Sequence, residues 1–178
     1  STEEYNSLIK DKHLVLDEPY ISAHVNVRFK CLKCDRTFFT RPSAILYKHS
    51  GCPYCDGTIG EKIMNETLES FGHFCHPQYT FSDCRYIGLL KFDLYDENDN
   101  IAYEYNGEQH YFPVDFAGKG KDWAEQQFKI NQTRDDIKIN YCKKNNIPLI
   151  IVPYWERDNM KDFILKEYER MNLYQYSS

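Results

Sequence analysis

The chain has 178 residues, seven cysteines and a formal net charge of −5. It lacks an apolar run long enough for a membrane span and an apolar signal core near its start, so we expect a soluble, intracellular protein of the cytoplasm. The net charge argues against nucleic-acid binding through diffuse positive charge, and the odd cysteine count with two CxxC pairs favours reduced thiols over disulfides.

Residues 1–58 are predicted to form a small module. The stretch from His13 to Lys30 has short apolar alternations interrupted at Pro19, which indicates two brief strands. Thr40 to Lys48 favours one or two helical turns. The turn sequence Asp-Gly-Thr at 56–58 then ends the module.

Two CxxC pairs separated by seventeen residues indicate a zinc site in this module. A CxxC turn supplies two neighbouring corners of a tetrahedron, so two such turns complete the coordination of one Zn²⁺. A redox-active CxxC is the alternative, but such sites lie beside a βαβ pattern, which this segment lacks. The predicted ligands of one structural zinc ion, in a zinc ribbon or treble-clef module, are Cys31, Cys34, Cys52 and Cys55.

The first 60 residues carry 8 basic and 7 acidic side chains, whereas the rest of the chain carries 14 and 20. Cations interleaved with Phe38, Phe39 and Tyr47 predict a contact surface for nucleic acid, although a ribbon can equally serve a protein contact. The basic residues predicted to bind DNA are Arg28, Lys30, Lys33, Arg36, Arg41 and Lys48.

Residues 59–178 are predicted to form an α/β domain in the order helix, strand, strand, strand, helix, strand, helix. Apolar residues recur at helical spacing from Ile63 to Phe71, and Gly72 supplies a stop. Three strands follow, in FCHPQYTF, YIGLLKFDLYD and IAYEYNGE, and the last two form a hairpin. A polar-faced helix from Trp123, a buried strand IPLIIVPY and a closing amphipathic helix complete the domain.

Two carboxylates mark the predicted hairpin. Asp93 and Glu104 lie on its two strands, whose antiparallel pairing can bring their side chains together. Both lie among apolar and aromatic residues, where an unpaired carboxylate is costly, and a shared metal ion is one remedy. Such an ion would polarise a phosphate and activate water, as phosphodiester cleavage requires. Ion pairs with Lys91 or Arg134 are the structural alternative.

The order of acidic, basic and histidine residues in this domain resembles a nuclease family. The set comprises Glu61 on an opening helix, Asp93 on a strand, Glu104 followed by GEQH, Arg134-Asp135 and Lys138 on a long helix, and then NNIPLIIVPY. This set resembles the restriction-endonuclease-like PD-(D/E)XK nucleases, in the branch of the very-short-patch repair endonucleases and the EDxHD homing endonucleases of phages. The resemblance covers about residues 60–155 and implies a mixed sheet flanked by helices.

The resemblance implies a catalytic Mg²⁺ or Mn²⁺ ion with Asp93 as its central ligand and Glu104 in the second acidic position. Glu61 would assist from its helix. His110 would act as general base or transition-state stabiliser, and Asp135 would orient it or bind metal through water.

One position departs from the family pattern. The lysine that usually stands two residues after the second acid is Asn106 here. Its role would pass to His110, Gln109 or Lys138. An ion pair between Asp135 and Lys138 at helical spacing is the structural alternative for those two residues.

These patterns together predict a metal-dependent DNA endonuclease, phage or homing-type, whose products carry 5′-phosphate ends by resemblance. The alternative is a catalytically inactive nucleic-acid-binding protein that retains the nuclease fold, for which Asn106 is the warning sign. A zinc-bearing protein-interaction domain is a third reading. The sequence leaves open which DNA site is recognised, whether one or both strands are cut, and what the oligomeric state is. A start at Ser1 without Met is compatible with a fragment.

Overall fold

Two units make up the chain in the computed structural model, which describes residues 1–47 and 50–173. Their boundaries are Ser1–Thr58 and Ile59–Ser178. None of the helices in the described ranges is both long and apolar enough to cross a membrane.

The first unit is built on a three-stranded antiparallel sheet with the order β1-β2-β3. Along β2 the side chains alternate between a buried face and a partly exposed face, because successive residues of a strand point to opposite sides. The predicted strands and helical turn are confirmed. The elements are α1 (Thr2–Leu8), β1 (Leu14–Leu16), β2 (Val27–Cys31), β3 (Thr37–Thr40), α2 (Pro42–Tyr47) and α3 (Pro53–Asp56), with a 3₁₀ turn at Lys10–Lys12.

The second unit contains a four-stranded mixed sheet with the order β4-β5-β6-β7. Strands β4, β5 and β6 are antiparallel, and β7 is parallel to β6. A parallel neighbour requires a crossover connection, which α5 provides. The predicted order of helices and strands is confirmed. The elements are α4 (Ile59–Ser70), β4 (His76–Arg85), β5 (Leu89–Asp96), β6 (Ile101–Asn106), α5 (Lys121–Lys144), β7 (Leu149–Pro153) and α6 (Met160–Arg170), with 3₁₀ turns at Glu108–His110 and Tyr154–Asn159.

Helices cover both faces of the mixed sheet. One apolar cluster joins α4 and α6 to the sheet and includes Leu68, Tyr103 and Ile164. A second cluster on the other face includes Phe92 and Cys142, the latter from α5. Because neighbouring residues of a strand point to opposite faces, the residue after Tyr103 points toward α5. That residue is Glu104, the acid that the sequence predicts on β6.

The turn between β4 and β5 differs from the prediction. The second strand was expected to begin at Tyr86, but Tyr86 and Gly88 lie in the turn, where the Tyr86 N–H donates to the Gly88 carbonyl at 3.0 Å. The first strand extends instead to Arg85, which pairs with Leu89. Polar residues before the turn hid this extension, because the pairing with β5 and not an apolar pattern holds them in the strand.

Gly60, in the first turn of α4, packs directly on the ring of Tyr105 in β6. A Cβ at this position would overlap the ring carbons. We therefore expect Gly60→Ala to lower the free energy of unfolding by about 1–3 kcal/mol, as overpacked positions do. Denaturant titration followed by tryptophan fluorescence measures the change.

Gly88→Ala is the matched control, because an added Cβ there would meet no atom of the described residues within 4 Å. Its stability should equal that of the parent. Equal stability of Gly60→Ala would contradict the close approach of α4 to β6.

Candidate metal centre and acidic site

The four cysteines of the CxxC pairs converge in the first unit. Cys31 ends β2, Cys34 follows in the turn to β3, Cys52 precedes α3 and Cys55 lies in it. The sulfur atoms are 3.8 Å apart for Cys31 and Cys55 and 3.7 Å apart for Cys34 and Cys52, and all four lie within 4.8 Å of one another. Tetrahedral Zn–S bonds of about 2.3 Å separate the sulfurs by roughly 3.8 Å. The cluster therefore fits one tetrahedral zinc ion.

Backbone N–H groups support thiolate formation in this cluster. Those of Lys33 and Cys34 donate to the sulfur of Cys31, and the second turn does the same for Cys52. Burial raises the pKa of Cys31, but these N–H groups and the neighbouring thiols lower it to about 7. Burial raises the pKa of Cys52. The thiolate is the form that binds metal, so the lowered pKa of Cys31 favours cation binding at the first CxxC turn.

Two of the predicted DNA-binding cations are engaged in ion pairs. The Arg28 Nε donates to an Asp17 carboxylate oxygen at 2.8 Å, and the Lys30 Nζ lies 2.8 Å from an Asp35 carboxylate oxygen. Solvent and salt screen such exposed pairs, so phosphates can compete for these cations. Their charge is nevertheless largely compensated within the unit.

The other predicted cations differ in their surroundings. Arg36 lies over the ring of Tyr54, with 5.0 Å from the guanidinium carbon to the ring centroid. Lys33 and Arg41 are exposed and form no ion pair with a described residue. Lys48 lies outside the described residues. A contact surface for DNA on this unit stays a prediction.

The prediction that Phe38 belongs to this surface is wrong. Phe38 is buried and stacks on Phe29 of the paired strand, with ring centroids 5.9 Å apart. Phe39 and Tyr47 are exposed. Strand alternation explains the difference, because adjacent residues of β3 point to opposite faces of the sheet.

Most of the predicted nuclease residues converge on the α5 side of the mixed sheet. The residues that interact there are Asp93, Glu104, His110, Asp135 and Lys138. Glu61 is the sixth predicted nuclease residue. It is half-buried in the first turn of α4, next to Gly60, which packs on Tyr105 of β6.

Asp93 lies where β5 and β6 diverge. The last paired residues before this point are Leu94 and Tyr103. Beyond them, a carboxylate oxygen of Asp93 accepts the backbone N–H of Tyr105 at 2.8 Å, and the Gln78 side chain also hydrogen-bonds to Asp93. Burial raises the pKa of Asp93, and the Tyr105 N–H opposes that effect. The carboxylate thus replaces a bond of the strand ladder at a gap in the sheet.

Glu104 forms a buried ion pair with Lys138. The Lys138 Nζ donates to a Glu104 carboxylate oxygen at 2.7 Å, and the two side chains are 13% and 7% exposed. Burial and the nearby Asp93 carboxylate raise the pKa of Glu104 to about 8, against the opposing effect of Lys138. Lys138, and not Lys91 or Arg134, is therefore the ion-pair partner of Glu104.

His110 and Asp135 form a second pair at the same site. His110 lies in the 3₁₀ turn after β6, and its Nδ1 is 2.7 Å from a carboxylate oxygen of Asp135 on α5. An ionised carboxylate only accepts hydrogen bonds, so Nδ1 is the donor toward an ionised Asp135, and in the neutral form of the ring Nε2 keeps its lone pair. The pairing also replaces the alternative in which Asp135 binds Lys138 along the helix.

Position 106, where the nuclease family has a lysine, holds Asn106, and a lysine from α5 contacts the second acid instead. Asn106 is buried and its side chain hydrogen-bonds to the Tyr111 hydroxyl. The Gln109 amide folds back against Gly107. Of the three candidates for the vacant lysine role, Lys138 is the residue that contacts the second acid.

The charge balance of the acidic site is compatible with a divalent cation. Asp93, Glu104 and Asp135 supply three carboxyl groups beside the single ammonium group of Lys138, and the raised pKa values of Asp93 and Glu104 show that these two resist carrying negative charge together in the absence of a further cation. The described residues do not bring three metal-ligating atoms within 4.8 Å of one another here. Mg²⁺ needs only one or two carboxylates when water and phosphate oxygens complete its shell, so the number of carboxyl groups here is sufficient for such an ion.

The sequence suggests His73, Cys75 and His76 as a possible second metal cluster, but the structure pairs the buried His73 with two acidic residues, Asp96 and Asp99. The His73 Nδ1 lies 2.8 Å from an Asp96 carboxylate oxygen and 3.1 Å from one of Asp99. His76 instead bonds to Glu97 at 3.0 Å. These are hydrogen-bond distances, and they tie the loop after α4 to the β5–β6 turn. The acidic residues after β5 were the signal in the sequence for these carboxylate partners of His73.

Parts of three viral proteins are similar to this chain. Uncharacterized protein 307L of Invertebrate iridescent virus 6 is 38% identical over 69 residues, which is 39% of this chain and 33% of the relative. Uncharacterized protein 033L of Invertebrate iridescent virus 3 is 38% identical over 65 residues, 36% of this chain and 31% of the relative. Uncharacterized protein 094L of Frog virus 3 is 38% identical over 69 residues, 39% of this chain and 43% of the relative. The similarity thus spans less than half of each relative, and no family model or solved structure matches the chain.

Proposed function

We propose that the chain is a metal-dependent DNA endonuclease with a restriction-endonuclease-like core and a zinc module. The observation that carries this proposal is the meeting of Asp93, Glu104 and Lys138 with the His110–Asp135 pair where β5 and β6 diverge. The elements that bear these residues have the types and the order on which the family resemblance is based.

Asp93 and Glu104 are the proposed ligands of Mg²⁺ or Mn²⁺. When bound, this ion would stabilise the charge that develops on the scissile phosphate and acidify a water molecule. Lys138 compensates the charge of Glu104 and presents its remaining N–H donors to the phosphate. It would thereby take the role that a lysine at position 106 has in the family.

The His110–Asp135 pair has the geometry of a general base and its orienting carboxylate. The free Nε2 of His110 would accept a proton from the water whose oxygen attacks phosphorus, while the bond from phosphorus to the 3′ oxygen breaks. Asp135 holds the ring and stabilises its protonated form. The 3′ oxygen takes a proton from solvent, and the phosphate stays on the 5′ end, as the resemblance implies.

Glu61 and the zinc module have supporting roles in this proposal. Glu61 would assist the metal site from the first turn of α4, as the resemblance implies. Four thiolates fill the coordination of zinc, so that ion would stabilise the first unit and take no part in the reaction. Among the predicted DNA-binding cations that the structure describes, Lys33 and Arg41 are exposed and form no ion pair, so they are the proposed contacts of this unit with DNA phosphates.

Plasmid cleavage by the zinc-loaded protein tests the proposal. We expect nicking or linearisation of supercoiled DNA with Mg²⁺ or Mn²⁺ and none without added divalent ion. A chelator is avoided because it would also remove zinc. His110→Ala should slow cleavage about 10²–10⁴-fold, the usual contribution of a general base. Asp136→Asn, an exposed neighbour on α5, is the matched control and should cleave like the parent.

The inactive nucleic-acid-binding protein is the second candidate, and Asn106 is the observation that favours it. It predicts metal-independent binding and no cleavage of DNA or RNA by the folded, zinc-loaded chain. Binding should then weaken steeply as salt rises, because cations on the protein replace counterions of the phosphates. A salt-insensitive partner would instead point to a protein-interaction domain.

A further inference from the structure

A cavity of about 600 Å³ opens beside the acidic site. It is lined by the β4–β5 turn, the start of β5 and α5, and His110, Asp135 and Lys138 of the acidic site are among its lining residues. We call this cavity the turn groove. Its volume is within the range of about 300–1,000 Å³ that is usual for small-ligand sites, so a nucleotide fits.

Two exposed cations line the turn groove without an acidic partner. Lys91 comes from β5 and Arg134 from α5. Neither forms an ion pair within residues 1–47 and 50–173, in contrast to Lys138, which also lines the groove and pairs with Glu104. A guanidinium group with free donors suits the paired oxygens of a phosphate, and a lysine adds a point charge.

The turn itself adds exposed apolar surface to the same groove. Tyr86, Ile87 and Leu89 are 41%, 88% and 36% exposed, and all three line the cavity. Apolar side chains beside free cations match a nucleic-acid strand, whose bases have apolar faces and whose backbone is anionic. An aromatic ring that is not covered by the protein can stack on a base.

We propose that the turn groove holds the nucleic-acid strand next to the scissile phosphate, with Lys91 and Arg134 on phosphates and Tyr86 on an unpaired base. This inference rests on the proposed function and deepens it, because it names the path of the strand. A base must leave its own stack to reach Tyr86. The substrate therefore has an unpaired stretch beside the cut.

Binding of a fluorescein-labelled single-stranded 12-mer, measured by anisotropy with Ca²⁺ in place of Mg²⁺, tests the groove apart from cleavage. We expect Arg134→Ala and Lys91→Ala each to weaken binding about fivefold and to reduce the logarithmic salt slope by about 0.7. Tyr86→Ala should weaken binding about tenfold, whereas Tyr86→Phe keeps the stacking ring and the affinity. Lys143→Ala, an exposed cation at the other end of α5, is the control and should bind like the parent.

DNA and RNA 12-mers of one sequence form the two arms, because phosphate contacts and stacking are common to both. The arm with the tighter binding identifies the natural polymer, and the variants should weaken it. The proposed role of the turn groove would be contradicted if Arg134→Ala, Lys91→Ala and Tyr86→Ala bound the 12-mer as tightly as the parent and unfolded at the same temperature.

Cleavage assays with the same variants separate the two proposals. If the parent cleaves and the groove variants bind and cleave like it, the groove is wrong and the nuclease proposal stands. If the parent does not cleave but Arg134→Ala and Tyr86→Ala weaken binding, the groove stands and the catalytic proposal falls.

Discussion

Replacement of Asp93 by asparagine is expected to reduce cleavage by about a thousandfold, the scale on which loss of a single electrostatic contact to a transition state is felt. The proposed metal ion would lose its central ligand, because a neutral amide is a poor substitute for a carboxylate. The fold should persist, since the asparagine oxygen can still accept the Tyr105 N–H. The initial rate of plasmid nicking with Mg²⁺ measures the effect.

Stability provides the second readout for Asp93→Asn. Burial raises the pKa of Asp93, which means that the folded protein disfavours its charge. A neutral side chain of the same shape should therefore leave the free energy of unfolding unchanged or increase it. Loss of activity without loss of stability is the signature of a residue kept for chemistry.

Asp136→Asn is the control for this experiment, because it removes an exposed carboxylate from α5 close to the site. It should retain the parent rate. Full cleavage by Asp93→Asn would show that the metal site lies elsewhere. A large loss of stability would assign Asp93 to the fold and not to catalysis.

Cys52→Ser is expected to abolish zinc binding and to unfold the first unit while the second unit stays folded. Structural zinc sites in small modules contribute about 10–16 kcal/mol of apparent binding free energy, far more than a module of this size retains without metal. The second unit has two apolar clusters without any cysteine of the CxxC pairs, whereas the cluster of the first unit includes Cys31 and Cys52, so we expect only the first unit to depend on zinc.

Two probes follow the units separately in this experiment. Trp123 and Trp155 lie in the second unit, so tryptophan fluorescence reports on that unit alone. Amide signals of β1, β2 and β3 in two-dimensional NMR report on the first unit. Elemental analysis should give one zinc per parent chain and none in the variant.

Cys142→Ala provides the control, because it removes a buried thiol from the second unit. It should keep one zinc per chain and an intact first unit, even if its own unit loses stability through the cavity. A metal-free parent, or a folded first unit in Cys52→Ser, would show that the cysteine cluster does not hold a structural ion.

Local patterns in the sequence determined the sulfur cluster and the order of elements in the second unit, whereas α1 and β3 of the first unit were not predicted. A CxxC turn is a short segment, so its spacing alone is enough to place two sulfurs together. The helix from Ile59 to Ser70 follows from apolar spacing, and Gly72 ends it with the positive φ of 87° that glycine adopts without strain. These features depend on neighbours along the chain.

The extent of β4 was decided by pairing with another segment. The residues from Ser82 to Arg85 have no alternating apolar pattern, yet they continue the strand because β5 lies beside them. The turn therefore lies at residues 86–88 and not before Tyr86. The side chains of Tyr86, Ile87 and Leu89 are exposed there and line the turn groove with α5. No property of this stretch alone indicates that groove.

The partners within the acidic site were likewise decided by the tertiary structure. Helical spacing favoured an Asp135–Lys138 pair, since those residues are neighbours on α5. In the folded unit, Lys138 binds Glu104 and Asp135 binds His110. The sequence by itself determined which charged residues the chain contains and on which elements they lie. Only the packing of α5 on the sheet and on the turn at Glu108–His110 decided the pairs, because a buried carboxylate gains more from a cation than an exposed one does.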